Sequence, residues 1–360
     1  MPEKNFRVLI AGGGTGGHVV PALAIARQLR DAYGAEVLLL GTQRGLETKL
    51  VPEAGFPLEL IHVGQLKNVS LKTQLQTLLD LPRGLMKCFR LLRSFHPQVV
   101  VGVGGYASGP AMMAAVLLRI PTLAFEPNAF PGLANRLVGK FVSAAAVNYE
   151  QTKRWFRKAE VTGIPVRPEF FALSRRTTIS PHLLVFGGSQ GARVLNEAMP
   201  KIIAPLFKKF PSLTVLHQSG ARQRAQTEEN YRATGSDSYR WQVVDYLDDM
   251  PQRFADADLV LCRSGASTCA ELTAAGKPSI LVPFAQATDN HQQRNAEVLL
   301  HAGAARMVLE SSSLPEHILY QLRALIPDLV LLRNMSGHAQ ALAHPDALKN
   351  IGAKIKRLAE

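Results

Sequence analysis

Short, uniformly apolar runs recur along this chain, each followed by a glycine-rich or polar loop and then by residues at helical spacing. In the first half the runs lie at 7–11, 36–40, 99–103 and 121–125. In the second half they lie at 182–186, 213–217, within 239–246, and at 260–262 and 279–283. Runs of this length and uniformity read as strands buried on both faces, the mark of a parallel sheet. Helical spacing begins near Pro21, runs from Ala111 to Arg119, resumes after Arg193, and covers 269–275 and the segment bearing Gln292 and Asn295. Strands alternating with helices predict an α/β fold. The pattern restarts at His182 after the linker-like 163–168, which predicts two Rossmann-like domains. The expected bounds are 1–165 and 166–340, with a terminal helix at 341–360 that packs back on the first domain.

Open α/β sheets bind ligands at the carboxyl ends of their strands, so the loops there are the candidate chemistry. The first is Gly12-Gly13-Gly14-Thr15-Gly16-Gly17-His18. Glycines before a helix let the backbone come close to a phosphate. Gly12, Gly14 and Gly17 also satisfy the dinucleotide fingerprint. However, the second strand ends in Gly41-Thr42, where that fold wants an acid, and no Gly-Lys-Ser/Thr follows. His18 sits at a helix start, where the dipole favours a neutral imidazole able to act as a general base. The same position suits a histidine that only caps or packs. The next loops are Gly104-Gly105-Tyr106-Ala107-Ser108-Gly109-Pro110 and Glu126-Pro127-Asn128-Ala129-Phe130-Pro131-Gly132. Three successive strand ends thus carry His18, Tyr106, Ser108, Glu126 and Asn128, as the floor of a cleft would. In the second half Gly187-Gly188-Ser189-Gln190-Gly191-Ala192-Arg193 repeats the strand, glycine loop and helix. Arg263-Ser264-Gly265-Ala266-Ser267-Thr268 then opens a helix bearing Glu271, an acid able to hold two neighbouring hydroxyls. An ordinary βαβ turn with a solvated acid has the same pattern.

Composition narrows the partners. The 360 residues, 47% hydrophobic and 19% charged, make a globular chain with room for two cores. A net charge of +13 points to an anionic partner: nucleic acid, an acidic substrate or an anionic membrane surface. Aromatics are only 7% and no basic cluster is interleaved with them, so nucleic acid is the weakest of the three. Cys88, Cys262 and Cys269 lack metal-ligand spacing and fit a reducing compartment. Asp256-Ala257-Asp258 precedes its strand and reads as a turn, so neither metal nor cofactor is expected. No signal peptide is read in 1–7, and no apolar run reaches the roughly 20 residues of a membrane helix. A soluble, cytoplasmic protein is expected. Residues 65–95 add a qualification, because Leu71, Leu75, Leu79 and Phe89 alternate there with Lys72, Arg83 and Arg90. Such a basic amphipathic segment fits an anionic membrane surface or a core helix with solvated lysines. Pro82-Arg83-Gly84 is expected to interrupt it.

Taken in order, several of these loops resemble the MurG family, bacterial peptidoglycan transferases that add N-acetylglucosamine to a lipid-linked intermediate. The carriers are 12–18, 104–110, Asn128 with 131–136, 187–191, 263–266 with Glu271, and His291-Gln292 with Asn295-Ala296. Each is weak alone, but the ordered set covers nearly the whole chain. The resemblance implies a two-domain GT-B glycosyltransferase with its active site in the cleft between domains. It implies inverting, metal-independent transfer from UDP-N-acetylglucosamine to the 4-hydroxyl of the muramyl sugar in undecaprenyl-pyrophosphoryl-N-acetylmuramyl-pentapeptide. By resemblance, Ser189 and its loop meet the diphosphate, the backbone near Leu247 meets uracil, and Glu271 holds the ribose. Ala266, Gln292 and Asn295 lie about the sugar; Thr15, Gly16, Gly17, Asn128 and Arg167 complete the donor site. Gly13, Gly14, Gly104, Gly105, Tyr106 and Ser108 receive the acceptor's pyrophosphate, with His18 the candidate base. The family context also implies a membrane patch of Leu75, Leu79, Phe89, Lys72, Arg83 and Lys140. It puts the chain peripherally on the cytoplasmic face of the inner membrane. Pro127 and Ile164 replace the family's common Gln and Asn, and the choice between His291 and Gln292 as the donor contact stays open.

Three rivals remain. A nicotinamide-dependent oxidoreductase fits the first fingerprint but lacks the second-strand acid. A UDP-N-acetylglucosamine 2-epimerase would use the same fold with the donor alone. A basic nucleic-acid binder leaves the polar strand-end loops unexplained.

Overall fold

The computed structural model describes residues 6–43, 45–63, 71–173 and 180–360, and only the backbone of 71–81. The chain divides into two compact units, Met1–Pro165 with Asp346–Glu360, and Val166–Pro345.

The first unit holds β1 (Arg7–Gly12), β2 (Glu36–Thr42), β3 (Leu58–Ile61), β4 (Val99–Gly104), β5 (Thr122–Glu126), β6 (Ala144–Val147) and β7 (Ala159–Val161). All pair in parallel, in the order β3-β2-β1-β4-β5-β6-β7. The order reverses between β1 and β4, the switch point where such sheets open a crevice. Val8 faces Val99 and Ile10 faces Val101, but the register slips after Ala11 so that Gly12 meets Gly104. Two glycine loops therefore leave the sheet side by side.

The second unit repeats the plan with β8 (His182–Phe186), β9 (Thr214–Gln218), β10 (Trp241–Val244), β11 (Leu259–Cys262), β12 (Ser279–Leu281) and β13 (Ala305–Met307). Their order is β10-β9-β8-β11-β12-β13, with the switch between β8 and β11. Side chains alternate between two apolar layers, as the two-residue period of a strand requires. Leu183, Val185, Leu259 and Leu261 pack with Leu195, Met199 and Ile202 of the helix Arg193–Lys209. Leu184, Phe186, Val260 and Cys262 pack on the other face with Phe254 and Leu272. Each such side chain contributes about 1.5–3 kcal/mol through burial. Beneath the end of β9, His217 bridges the Tyr231 hydroxyl and Asn196 Oδ1, each at 3.0 Å. Burial pushes its pKa down to about 3, so this imidazole is neutral and structural.

Three element boundaries differ from the sequence expectation. The helix Gly16–Tyr33 begins inside the glycine loop, leaving Pro21 in its second turn at the loss of one backbone hydrogen bond. The helix Ser108–Leu117 starts before Ala111. The helix Leu71–Phe95 runs unbroken through Pro82, because one proline deletes a single N–H and its neighbours keep theirs.

The terminal helix Ala347–Ala359 is counted with the first unit and packs on Gly16–Tyr33. Gly352 lies against Gln28 and Tyr33, and Lys354 pairs with Glu160 of β7, holding that carboxyl below its usual range. Ile351 and Ile355 are fully buried. Ile351→Ala is expected to destabilise the first unit by about 2–5 kcal/mol in urea titrations, the usual range for an isoleucine cavity. An unshifted midpoint would show that the helix is not part of that core.

Candidate active site

In the first unit, the loop after β1 turns directly into the helix Gly16–Tyr33, whose N-cap Thr15 makes no side-chain cap. N–H groups at a helix start have no carbonyl of their own helix to bond, and the dipole there favours anions. Those of Gly16 and Gly17 are so placed. The loop is held from beneath by Glu47, the first residue of the helix Glu47–Glu53. Its carboxylate is 1% exposed. It accepts from the Gly14 N–H at 2.8 Å, the Thr42 N–H at 2.8 Å and the Thr42 hydroxyl at 2.9 Å. β2 itself ends in Gly41-Thr42, and the acid reaching back to it, Glu47 of the next helix, is buried and bonded to the protein. The glycines at 13, 41 and 45, each leaving room for that carboxyl, were the available signal.

His18 lies on the first turn of that helix with Nδ1 3.3 Å from the Gly13 carbonyl oxygen and its ring against Gly104. A carbonyl only accepts, so the contact calls for the tautomer with the proton on Nδ1. That tautomer leaves Nε2 as the basic nitrogen. Gly105 has φ +81°, and an added Cβ would overlap the Gly13 carbonyl, so the two loops touch backbone to backbone only because it is glycine. Tyr106 is exposed, but Ser108 corrects the sequence expectation. As the first residue of its helix it turns inward against Gly102 and is 1% exposed, out of reach of a ligand on the loop.

The third loop is organised by Glu126, also buried. It accepts from the Asn128 N–H (3.0 Å) and side chain (3.2 Å), the Gly132 N–H (2.9 Å) and Asn135 Nδ2 (2.9 Å). Burial raises its pKa, while those four donors pull it back. Asn128 is thereby oriented at the loop surface.

In the second unit the loop after β8 leaves Ser189 exposed. Gly191 (φ +72°) touches the Ser219 carbonyl where no Cβ would fit. Gln218, buried and not singled out by sequence, donates to the Gly188 carbonyl at 3.0 Å and the Asp245 carbonyl at 3.3 Å. It thus ties the glycine loop to the backbone that leads to the buried Leu247. On the other side of the switch, Arg263 turns away from the crevice. It donates to the carbonyls of Val282 and Pro283 and pairs with Glu310, which also accepts from the Ala285 N–H. The helix Ala266–Ala274 starts at Gly265 without a side-chain cap, and Ala266 is half-buried at its tip. The side-chain carboxyl of Glu271, within it, accepts no hydrogen bond among the described residues, while its backbone carbonyl accepts from the Ala275 N–H. Burial pushes its pKa up to about 7, opposed by the charge of Arg167. Gln292 uses its carbonyl on the Phe284 N–H at 3.0 Å, whereas His291 Nδ1 lies 2.8 Å from the Thr288 carbonyl. Asn295 is fully buried and donates to the Ser264 carbonyl at 3.2 Å, so in this structure it holds the loop from below.

The patch residues divide. Phe89 is half-buried and packs against the edge of the first unit's core, as Leu85 and Phe95 do. The side chains of Lys72, Leu75 and Leu79 lie outside the described residues. Met86, Leu117 and Leu137 are exposed on the helices Leu71–Phe95, Ser108–Leu117 and Leu133–Val138, and Phe141 is exposed in the turn after the last of these, with Arg83 and Lys140 also exposed. No helix among the described residues is long and apolar enough to cross a membrane, and no group of three or more metal-ligating side chains occurs there.

Comparison with known proteins decides the family. Residues 8–147 match the glycosyltransferase family 28 N-terminal domain and residues 182–351 its C-terminal domain. A UDP-N-acetylglucosamine–N-acetylmuramyl-(pentapeptide) pyrophosphoryl-undecaprenol N-acetylglucosamine transferase of Anaeromyxobacter sp. (strain Fw109-5) is 45% identical, over 96% of this chain and 92% of the relative. A transferase of the same name from Solibacter usitatus (strain Ellin6076) is 42% identical over 100% and 98%. The crystal structure of Acinetobacter baumannii MurG superposes with a TM-score of 0.82 at 30% identity, covering 98% of this chain and 99% of that one. The chain belongs to the MurG family. It has the two Rossmann-like domains of a GT-B glycosyltransferase. A UDP-GlcNAc 2-epimerase from Neisseria meningitidis also superposes, with a TM-score of 0.68 and coverage of 98% and 100%, but at 14% identity it shares the fold alone.

Proposed function

We propose that this chain transfers N-acetylglucosamine from UDP-N-acetylglucosamine to the 4-hydroxyl of the muramyl sugar in undecaprenyl-pyrophosphoryl-N-acetylmuramyl-pentapeptide, inverting the anomeric carbon. The observation that carries this reading is the 45% identity, across 96% of the chain, to a transferase named for that donor and acceptor. Glycine loops and uncapped helix starts at both switch points support it, since such N–H clusters suit the diphosphates of donor and acceptor.

In this reading the second unit binds the donor. Ser189, its loop and the start of the helix at Ala266 meet the diphosphate, Glu271 the ribose hydroxyls, the backbone near Leu247 the uracil, and Gln292 the sugar. Asn295 acts from beneath, and Thr15, Gly16, Gly17, Asn128 and Arg167 complete the site. Gly13, Gly14, Gly104, Gly105 and Tyr106 receive the acceptor's pyrophosphate. The acceptor's 4-hydroxyl oxygen attacks the anomeric carbon as its proton passes to His18 Nε2. The bond from that carbon to the diphosphate breaks, and UDP leaves with the electron pair. N–H groups already aimed at the leaving diphosphate stabilise the growing charge without reorganising. Acceptor-dependent UDP release with a disaccharide-lipid product is expected, undiminished by EDTA. UDP-N-acetylglucosamine consumed equally without acceptor would replace the transferase with an epimerase.

Glu271 gives the donor site a pH dependence. A ribose diol is best held by an ionised carboxylate accepting from both hydroxyls. Below about pH 7 the desolvated carboxyl of the free enzyme carries its proton, so donor binding must displace it. Affinity for UDP-N-acetylglucosamine, whose diphosphate diester does not titrate here, is expected to tighten up to about tenfold between about pH 6 and pH 8. Calorimetry should find that slope abolished in Glu271→Gln. A slope retained in that variant removes Glu271 from the site.

The chain is further proposed to act as a peripheral protein on the cytoplasmic face of the inner membrane. Exposed Leu137 and Phe141 beside Lys140, on a segment packed against the helix Ser108–Leu117, support this. Anionic lipid, not nucleic acid, is the partner that mixture of apolar and basic groups fits. A Leu137→Ser, Phe141→Ser double variant is expected to lose most binding to phosphatidylglycerol vesicles while keeping its fold. Undiminished binding would dismiss this surface.

A further inference from the structure

We propose that Glu47 is the positioning residue for His18, acting through one peptide group. This rests on the reading of His18 as the base. The Gly13–Gly14 peptide is bonded at both ends. Its N–H donates to Glu47 Oε2 at 2.8 Å, and its carbonyl oxygen lies 3.3 Å from His18 Nδ1. The chain of contacts is carboxylate, peptide N–H, peptide carbonyl, imidazole N–H. A carboxylate on the N–H side draws the peptide's dipole toward itself and makes the carbonyl a stronger acceptor, since hydrogen bonds in series polarise one another. That acceptor holds the proton on Nδ1 and keeps Nε2 as the basic nitrogen, the service a carboxylate bonded directly to a histidine provides elsewhere.

Two further observations make Glu47 more than filler. It is 1% exposed, yet both its oxygens are engaged, Oε2 by Gly14 and Oε1 twice by Thr42. Glycine at 13, 41 and 45 lines the carboxyl, and a Cβ at any of the three would displace it. The backbone around this acid is thus built to admit a carboxylate at that point and to orient one particular peptide.

The tautomer can be read directly. Long-range proton–nitrogen spectra of the full-length protein, labelled with 15N-histidine and assigned by the signal lost in His18→Asn, separate the Nδ1–H and Nε2–H forms. Wild type is expected to show the Nδ1–H form. Glu47→Gln, which puts an amide where the acceptor was needed, is expected to populate the Nε2–H form. It should also lower kcat about 10–100-fold, as loss of an outer-shell partner does, with UDP affinity unchanged. Thr42→Val loosens the same acid without touching the Gly14 bond and is expected to leave the tautomer as in wild type. An unchanged tautomer in folded Glu47→Gln overturns the proposal. An equal shift in Thr42→Val overturns it too, since the cause would then be general loosening of the loop. The base assignment is judged separately by turnover of His18→Asn, and the nitrogen shifts bear on Glu47 alone.

Discussion

A charged group taken out of water must find hydrogen-bond partners, because leaving it unsatisfied costs several kcal/mol. In this protein the buried charges at the strand ends find those partners mostly in loop backbone. Glu47 takes N–H groups from the loop after β1 and from the last residue of β2, and Glu126 takes them from its own loop. Arg263 gives its protons to the carbonyls after β12. In each case the loop cannot move without stranding the charge, so polypeptide that would otherwise wander is fixed at the mouth of each sheet.

The groups proposed to meet ligands are the ones this bonding leaves over. Glu126 and Glu271 show the contrast. Both are desolvated acids, but Glu126 meets four protein donors and is consumed by them. Glu271 meets none among the described residues, and only the charge of Arg167 opposes its burial. A carboxyl in that condition is poised to accept from a ligand, and its pKa sits where a ligand can shift it. The same logic separates Gly14, whose N–H is taken by Glu47, from Gly16 and Gly17 at the open start of the helix.

The strands legible in the chain were β1, β2, β4, β5, β8, β9, β10, β11 and β12, all of them short apolar runs and most of them rich in Val, Leu and Ile. Those missed have physical reasons. β6 is three alanines and a valine, β7 and β13 are three residues with a charge at the centre (Glu160 and Arg306), and β3 carries Glu59 in its middle. Their strand state comes from a neighbour already in the sheet, not from propensity.

By itself the sequence determined the two α/β domains, the glycine loops and their order, because backbone approach and burial on both faces leave residue signatures that no other local structure needs. The tertiary structure alone decided which side chains those loops enclose. It put Glu47 under the loop of β1, Gln218 between Gly188 and Asp245, and Asn295 beneath Ser264. Those partners are separated by tens of residues, and which atoms meet is set by strand order and register. No local pattern of residues carries that information.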